Sequence, residues 1–188
     1  MILRNIKKSF GKKSVLSSFS LSVRKGERIS LYGESGEGKT TVLDIMLGLI
    51  KPDEGEIDLE GDTLSAVFQE DRLIENISVI NNLILVTEDR NKALIMLSSL
   101  GLEGEENSRT ESLSGGMKRR LSIARALLYP SSILLLDEPF TGLDEENKKK
   151  CASLILNSSS DRAIVLVTHS KEDEVLLKIE RRVSISNC

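Results

Sequence analysis

Two hydrophobic rhythms alternate along the chain. Ile2 to Ile6 and Phe19 to Val23 alternate apolar and polar side chains, the pattern of half-buried strands. Arg28 to Tyr32 is a short apolar-rich run that ends at Gly33. A helix is predicted from Lys39 to about Leu49, broken by Lys51-Pro52-Asp53-Glu54-Gly55. Glu56 to Leu59 and Ala66 to Phe68 read as further short strands. From Ile77 to Leu100 the rhythm turns helical, through Ile80, Leu83 and Ile84 and then Ala93, Leu94, Leu97 and Leu100. Gly101 is predicted to close the second helix of this stretch. Beyond it, Ser114 to Leu128 reads as a helix and Ile133 to Leu136 as a strand buried on both faces. Asp144 to Leu156 is then helical and Ala163 to Val167 is a second buried strand. The whole is an α/β pattern interrupted by a small helical insertion, with no internal repeat, low-complexity tract or linker.

A length of 188 residues suits one compact domain with a real core. The formal net charge of −3 offers no global attraction for nucleic acid. The run Lys148-Lys149-Lys150 follows Glu145 and Glu146 on a predicted helix and reads as a solvated face. Cys151 and Cys188 make no disulfide framework, which points to a reduced, cytoplasmic setting. A single histidine, His169, excludes a multi-histidine metal site. No stretch reaches the ~20 apolar residues of a membrane span, and Met1 to Phe10 lacks the apolar core of a signal peptide. Work at a membrane would require a separate anchor.

Gly33-Glu34-Ser35-Gly36-Glu37-Gly38-Lys39-Thr40 fits G-x-x-x-x-G-K-[ST], between a predicted strand and a predicted helix. The glycines allow a tight turn whose N–H groups face an anion, and the helix dipole adds to the attraction. Lys39 is expected to reach the β- and γ-phosphates of a nucleoside triphosphate, and the Thr40 hydroxyl to hold Mg²⁺.

The strand Ile133 to Leu136 runs into Asp137 and Glu138. Beside a phosphate loop, an Asp in this place holds Mg²⁺, and the next carboxylate can orient and deprotonate the attacking water. His169 and Gln69 each follow a predicted strand, where ligands bind in open α/β sheets. Position alone leaves both open. Each is either a solvated polar residue or a contact, His169 to the γ-phosphate or water and Gln69 to Mg²⁺.

Leu113-Ser114-Gly115-Gly116-Met117-Lys118 offers a second anion site at a helix start, with Ser114 as its N-cap. One nucleotide does not need two such sites from one chain. The economical reading is that this helix end serves a nucleotide held by another copy.

With these motifs in this order, the chain resembles the ATP-binding domain of the ABC ATPases. The resemblance spans nearly the whole sequence. It sets Gly33 to Thr41, hence also Thr41, as the Walker A loop, Gln69 as the Q-loop and Leu113 to Gly116 as the signature. It sets Asp137 and Glu138 as Walker B with its catalytic glutamate, Leu143-Asp144 as the D-loop and His169 as the switch histidine. Phe10 stands where the family stacks an aromatic on adenine. Met117 departs from the family's usual glutamine, and the loop Gly61 to Ala66 and the helical insertion are compact.

The resemblance implies a P-loop core of ABC ATPase type with an antiparallel β subdomain. It implies one domain over residues 1–188, with a helical subdomain at about 74–128 and no added regulatory domain after His169. It further implies ATP and Mg²⁺ as ligands, with Thr40, Gln69 and Asp137 toward the metal. Phe10, the Gly33–Thr41 loop, Gln69, Ser114, Gly115 and Gly116 would face nucleotide, and Glu138 and His169 would be catalytic. A head-to-tail dimer, of like or unlike chains, would close on two ATPs and drive a separate transmembrane permease from the cytoplasmic face of the cell membrane. Phe68-Gln69-Glu70-Asp71-Arg72-Leu73 is similar to importer subunits of the nitrate and sulfonate group. The alternatives are a soluble ABC ATPase acting on nucleic acid or ribosomes, and a nucleotide-binding regulator without turnover.

Overall fold

The structure is a computed structural model that describes residues 1–34, 36–159 and 161–185. Two sheets form its frame. Strands β1 (Ile2–Phe10), β2 (Lys13–Ser22) and β4 (Glu54–Asp58) make an antiparallel sheet in the order β2-β1-β4. Strands β3 (Arg28–Tyr32), β5 (Leu64–Val67), β6 (Ile133–Asp137), β7 (Ala163–Val167) and β8 (Arg181–Ser184) make a parallel sheet in the order β5-β6-β7-β3-β8.

The parallel sheet is covered on both faces, which is why β6 and β7 are unbroken apolar runs. Successive side chains point to opposite sides. Leu134, Leu136, Ile164 and Leu166 join a core built with α2 (Val79–Ile84), α3 (Arg90–Ser99), α4 (Gly115–Leu128) and α5 (Glu145–Asn157). Ile133, Leu135, Val165 and Val167 join the opposite core, with α1 (Lys39–Met46) and the inner face of the antiparallel sheet, where Phe19 is fully buried. Each large aliphatic side chain so buried contributes about 1.5–3 kcal/mol.

Several boundaries differ from the sequence expectation. β2 begins at Lys13 rather than Phe19, and β1 runs on to Phe10. Register shifts between Ile6 and Lys8 space the buried residues Leu16 and Phe19 three apart, which hides the period of two. α1 stops at Met46, not Leu49, because Gly48 takes φ +72° and its N–H caps Ile45 while that of Leu49 reaches back to Asp44. The expected stop at Gly101 has the same geometry, with Leu102 N–H returning to Leu97 at the end of α3. β4 and β5 start two residues earlier than predicted. A short helix α6 (Lys171–Leu176) and strand β8 carry no signal in the sequence rhythm. Lys148 is not on a solvated face. Its ammonium lies 2.9 Å from Asp173 and 3.1 Å from Glu172, and its side chain is only 12% exposed.

Candidate functional site

Parallel register brings the carboxyl ends of the strands to one edge. Asp137 pairs with Val167, Val67 with Leu136, and Leu31 with Val167 across the sheet. The residues that follow those ends therefore converge. Phe10, Gly36, Gly38, Lys39, Thr40 and Thr41 line one cleft of about 500 Å³ together with Gln69, Asp137, Glu138 and His169. Ser35 lies outside the described residues.

The phosphate loop is tightly organised. Lys39 is 7% exposed, and its ammonium donates to the carbonyls of Gly33 (2.7 Å) and Glu34 (2.8 Å). Among the described residues these are its only hydrogen-bond partners, which leaves one of its three protons for a ligand. Glu37 Oε2 accepts the Glu34 N–H at 2.5 Å and folds the loop over Gly33. A Cβ on Gly38 would meet Val15 Cγ1 at 2.6 Å, so the β2 wall and the loop interlock there. The helix that follows has no side-chain cap, leaving its first N–H groups for an anion.

Thr40 Oγ1 donates to Asp137 Oδ2 at 3.0 Å. Asp137 is 4% exposed, and burial pushes its carboxyl above the usual carboxylate range while the Thr40 hydroxyl opposes the shift. Lys39 and Arg119 act on it only as charges at a distance. A buried carboxylate that bonds no cation among the described residues, beside a hydroxyl, fits Mg²⁺. Among the described residues no cluster of three or more His, Cys, Asp or Glu side chains could hold a metal, so Mg²⁺ here would complete its shell with phosphate oxygens and water.

Glu138 occupies left-handed backbone, φ +47°, a strained conformation for a side chain of this size. Its N–H caps Val167 at 2.9 Å. Its Oε1 accepts the His169 N–H at 2.9 Å, and Thr168 Oγ1 stands 3.3 Å from Oε2. His169 Nε2 lies 3.9 Å from Oε1, with the ring 60% exposed toward the cleft. The turn after β6 thus aims a carboxylate into the cleft beside an imidazole. That geometry can hold and deprotonate a water.

Ser114, Gly115 and Gly116 do not line this cleft. Ser114 caps α4 as expected, accepting the Met117 N–H at 3.3 Å. Nothing stands within 4 Å of the place a Cβ on Gly115 would take, so the helix tip is open. Gly116 abuts the turn at Gly142 and Leu143. Phe10 closes β1 opposite Lys13, is 49% exposed, and carries the Lys8 ammonium 5.5 Å from its ring centre.

Lys13 and Val15 also line the cleft, and Thr168 stands beside Glu138, though no sequence motif marks any of the three. Lys13 reaches over the loop, 3.8 Å from a Cβ placed on Gly36, and adds positive charge to the cleft. Only the Phe10–Lys13 hairpin places it there, and no motif announces it.

The chain matches the sequence profile of the family described as "ABC transporter" over residues 16–141. It is 40% identical over 180 residues to the aliphatic sulfonates import ATP-binding protein SsuB 1 of Shouchella clausii, covering 93% of this chain and 73% of that protein. It is 34% identical to the spermidine/putrescine import ATP-binding protein PotA of Mycoplasma mycoides subsp. mycoides, covering 98% of this chain but 58% of that one. The dimeric structure of the bacterial ABC transporter cassette MJ0796 superposes with a TM-score of 0.85 at 30% identity, covering 97% of this chain and 93% of the other. Motif order, fold, site geometry and similarity agree, and the chain belongs to the ABC transporter family as one of its ATP-hydrolysing, nucleotide-binding domains.

Proposed function

We propose that this chain is the ATP-driven motor of an importer, and that it binds ATP with Mg²⁺ in the cleft at the carboxyl edge of the parallel sheet. The observation that carries the reading is the convergence of Lys39, Thr40, Gln69, Asp137, Glu138 and His169 on that one cleft. Lys39 neutralises the β- and γ-phosphates, and the Gly36–Thr41 backbone cradles them. Phe10 offers a flat face to the adenine. Thr40, Asp137 and Gln69 hold the metal, which when bound spreads the charge of the phosphoryl group in transfer. Glu138 orients the attacking water and takes its proton, and His169 contacts the γ-phosphate side.

The open tip at Ser114, Gly115 and Gly116 faces the nucleotide of a second chain, so two copies, or one copy and a related chain, close head to tail on two ATPs. A dimer of the MJ0796 cassette has been described bound to ADP and Pi, which supports this assembly. Residues 1–188 act as one unit, with the helical layer at about 74–128 as its inserted part.

Among the described residues no helix is long and apolar enough to cross a membrane. A separate transmembrane permease supplies the path, and the chain docks on its cytoplasmic face. Relatives named for import of anionic sulfonates and of cationic polyamines match this chain comparably, which favours a motor indifferent to its cargo. Affinity purification of the tagged chain from solubilised membranes tests the assignment. A membrane subunit and Mg²⁺-dependent ATPase activity are expected to co-purify, and a chain recovered alone without turnover contradicts it.

A further inference from the structure

The Thr168 hydroxyl lies between two carboxylates. Its Oγ1 stands 2.9 Å from Asp173 Oδ2 and 3.3 Å from Glu138 Oε2. It also accepts the Ser170 N–H at 3.0 Å. A hydroxyl carries one proton and two lone pairs, so it donates to only one of the two carboxylates at a time. Asp173, in α6, and Thr168, just after β7, are both buried. The Lys148 ammonium of α5 lies 2.9 Å from Asp173 Oδ1 and offsets the charge buried there. Among the described residues, the Thr168 hydroxyl is the one hydrogen-bond donor to Asp173 Oδ2.

Distance and burial decide which carboxylate receives the proton. The contact to Asp173 is the shorter by 0.4 Å. Asp173 has a side chain only 6% exposed, so a lost donor there is not replaced by water. The Glu138 side chain is 20% exposed in the cleft and can turn to water instead. With the proton on the Asp173 side and the Ser170 N–H on one lone pair, Oγ1 presents its second lone pair to Glu138 Oε2. Oε1 of the same carboxylate is already taken by the His169 N–H at 2.9 Å. Oε2 is therefore the oxygen of Glu138 left open to a donor.

We propose that Lys148 and Asp173 hold the Thr168 hydroxyl proton away from Glu138, so that Oε2 stays open to accept the hydrogen of the attacking water. Thr168 and Asp173 are positioning residues that act through Glu138. The inference rests on the function proposed above, in which Glu138 receives that proton. Its consequence is specific: with no acceptor at position 173, the hydroxyl proton turns to Oε2, and water must compete for the atom that receives its proton.

The test measures steady-state ATP hydrolysis with Mg²⁺ by the full chain and its variants, with thermal melting to establish that each is folded at the assay temperature. Asp173→Leu keeps the side-chain size and removes the acceptor. Its kcat is expected to fall about tenfold. Its KM for ATP is expected to stay within about twofold, because the Lys39 loop is untouched. Thr168→Val removes the proton in question and is expected to cost about two- to threefold, since the Ser170 N–H loses its acceptor. Added to Asp173→Leu, Thr168→Val is expected to raise kcat about threefold or more, a gain that loosened packing would not give. A double variant no faster than Asp173→Leu, or Asp173→Leu with the parent's kcat, overturns the inference. Where Asp173→Leu does not fold, Thr168→Val decides alone: a loss of about tenfold or more would mean that the hydroxyl serves Glu138 by donating to it, and overturns the inference. These results leave the proposed function standing. A parent chain without Mg²⁺-dependent turnover, or Glu138→Gln with the parent's turnover, overturns both.

Discussion

Glu138 and His169 are joined through the backbone: Glu138 Oε1 accepts the backbone N–H of His169 at 2.9 Å, and the imidazole Nε2 of that residue stands 3.9 Å from the same oxygen without bonding it. The backbone bond fixes the carboxylate, and the exposed ring is left free to meet a ligand. Replacing Glu138 by Gln preserves shape but removes the proton acceptor. Turnover in a phosphate-release assay is expected to fall about 10²–10⁴-fold with ATP affinity kept. Wild-type turnover would remove Glu138 from the role of base.

Lys39→Ala deletes the ammonium that now rests on the Gly33 and Glu34 carbonyls. Charge-assisted bonds to phosphate are lost, so the Kd for a fluorescent ATP analogue is expected to rise about tenfold or more. Unchanged affinity would mean that the nucleotide sits elsewhere.

Asp137 illustrates a cost carried for function. Its carboxylate is buried and bonds no cation among the described residues, and burial disfavours its charge. Asp137→Asn keeps an acceptor for the Thr40 hydroxyl and removes the charge. Calorimetry without ligand is expected to show the melting temperature rising by about 2–4 °C. The further rise that Mg²⁺ and ATP give the parent protein is expected to vanish. A lower melting point with normal ligand stabilisation would contradict the assignment.

Lys148 supports the back of the site, since Asp173, its partner at 2.9 Å, also accepts the Thr168 hydroxyl at 2.9 Å. The bond to Asp173 holds the Lys148 ammonium above the ordinary lysine range. A raised cation contributes stability that is full below the unfolded lysine value and is lost as pH rises through the folded one. Lys148→Met is expected to cost about 1–2 kcal/mol in urea unfolding at neutral pH. The gap from wild type should narrow only under strongly alkaline conditions. An equal gap at neutral and alkaline pH would contradict the ion-pair account.

The site was legible in the sequence wherever chemistry and chain rhythm coincide. The apolar runs ending in Asp137 and in Val167 lie side by side in the sheet, and register alone sets Glu138 beside His169. The phosphate loop is local, so its motif is read directly. What stayed hidden depends on contacts distant in sequence. Lys13 reaches the loop only because the β1–β2 hairpin folds over it, and Arg119 meets Gln69 across fifty residues of chain. β8, Arg181–Ser184, is too short and polar to signal a strand and is recruited by pairing with β3. Lys148 looked solvated because its acidic partners, Glu172 and Asp173, lie in a helix the rhythm did not reveal.

The central claim is that one nucleotide is held between the Lys39 loop of one chain and the Ser114 tip of another. Sedimentation of Glu138→Gln with ATP and Mg²⁺ measures it most directly, alongside the same protein carrying Ser114→Arg. The first is expected to run as a dimer and the second as a monomer that still binds ATP. Two species that dimerise alike, or a Glu138→Gln protein that stays monomeric at saturating ATP, would contradict the account.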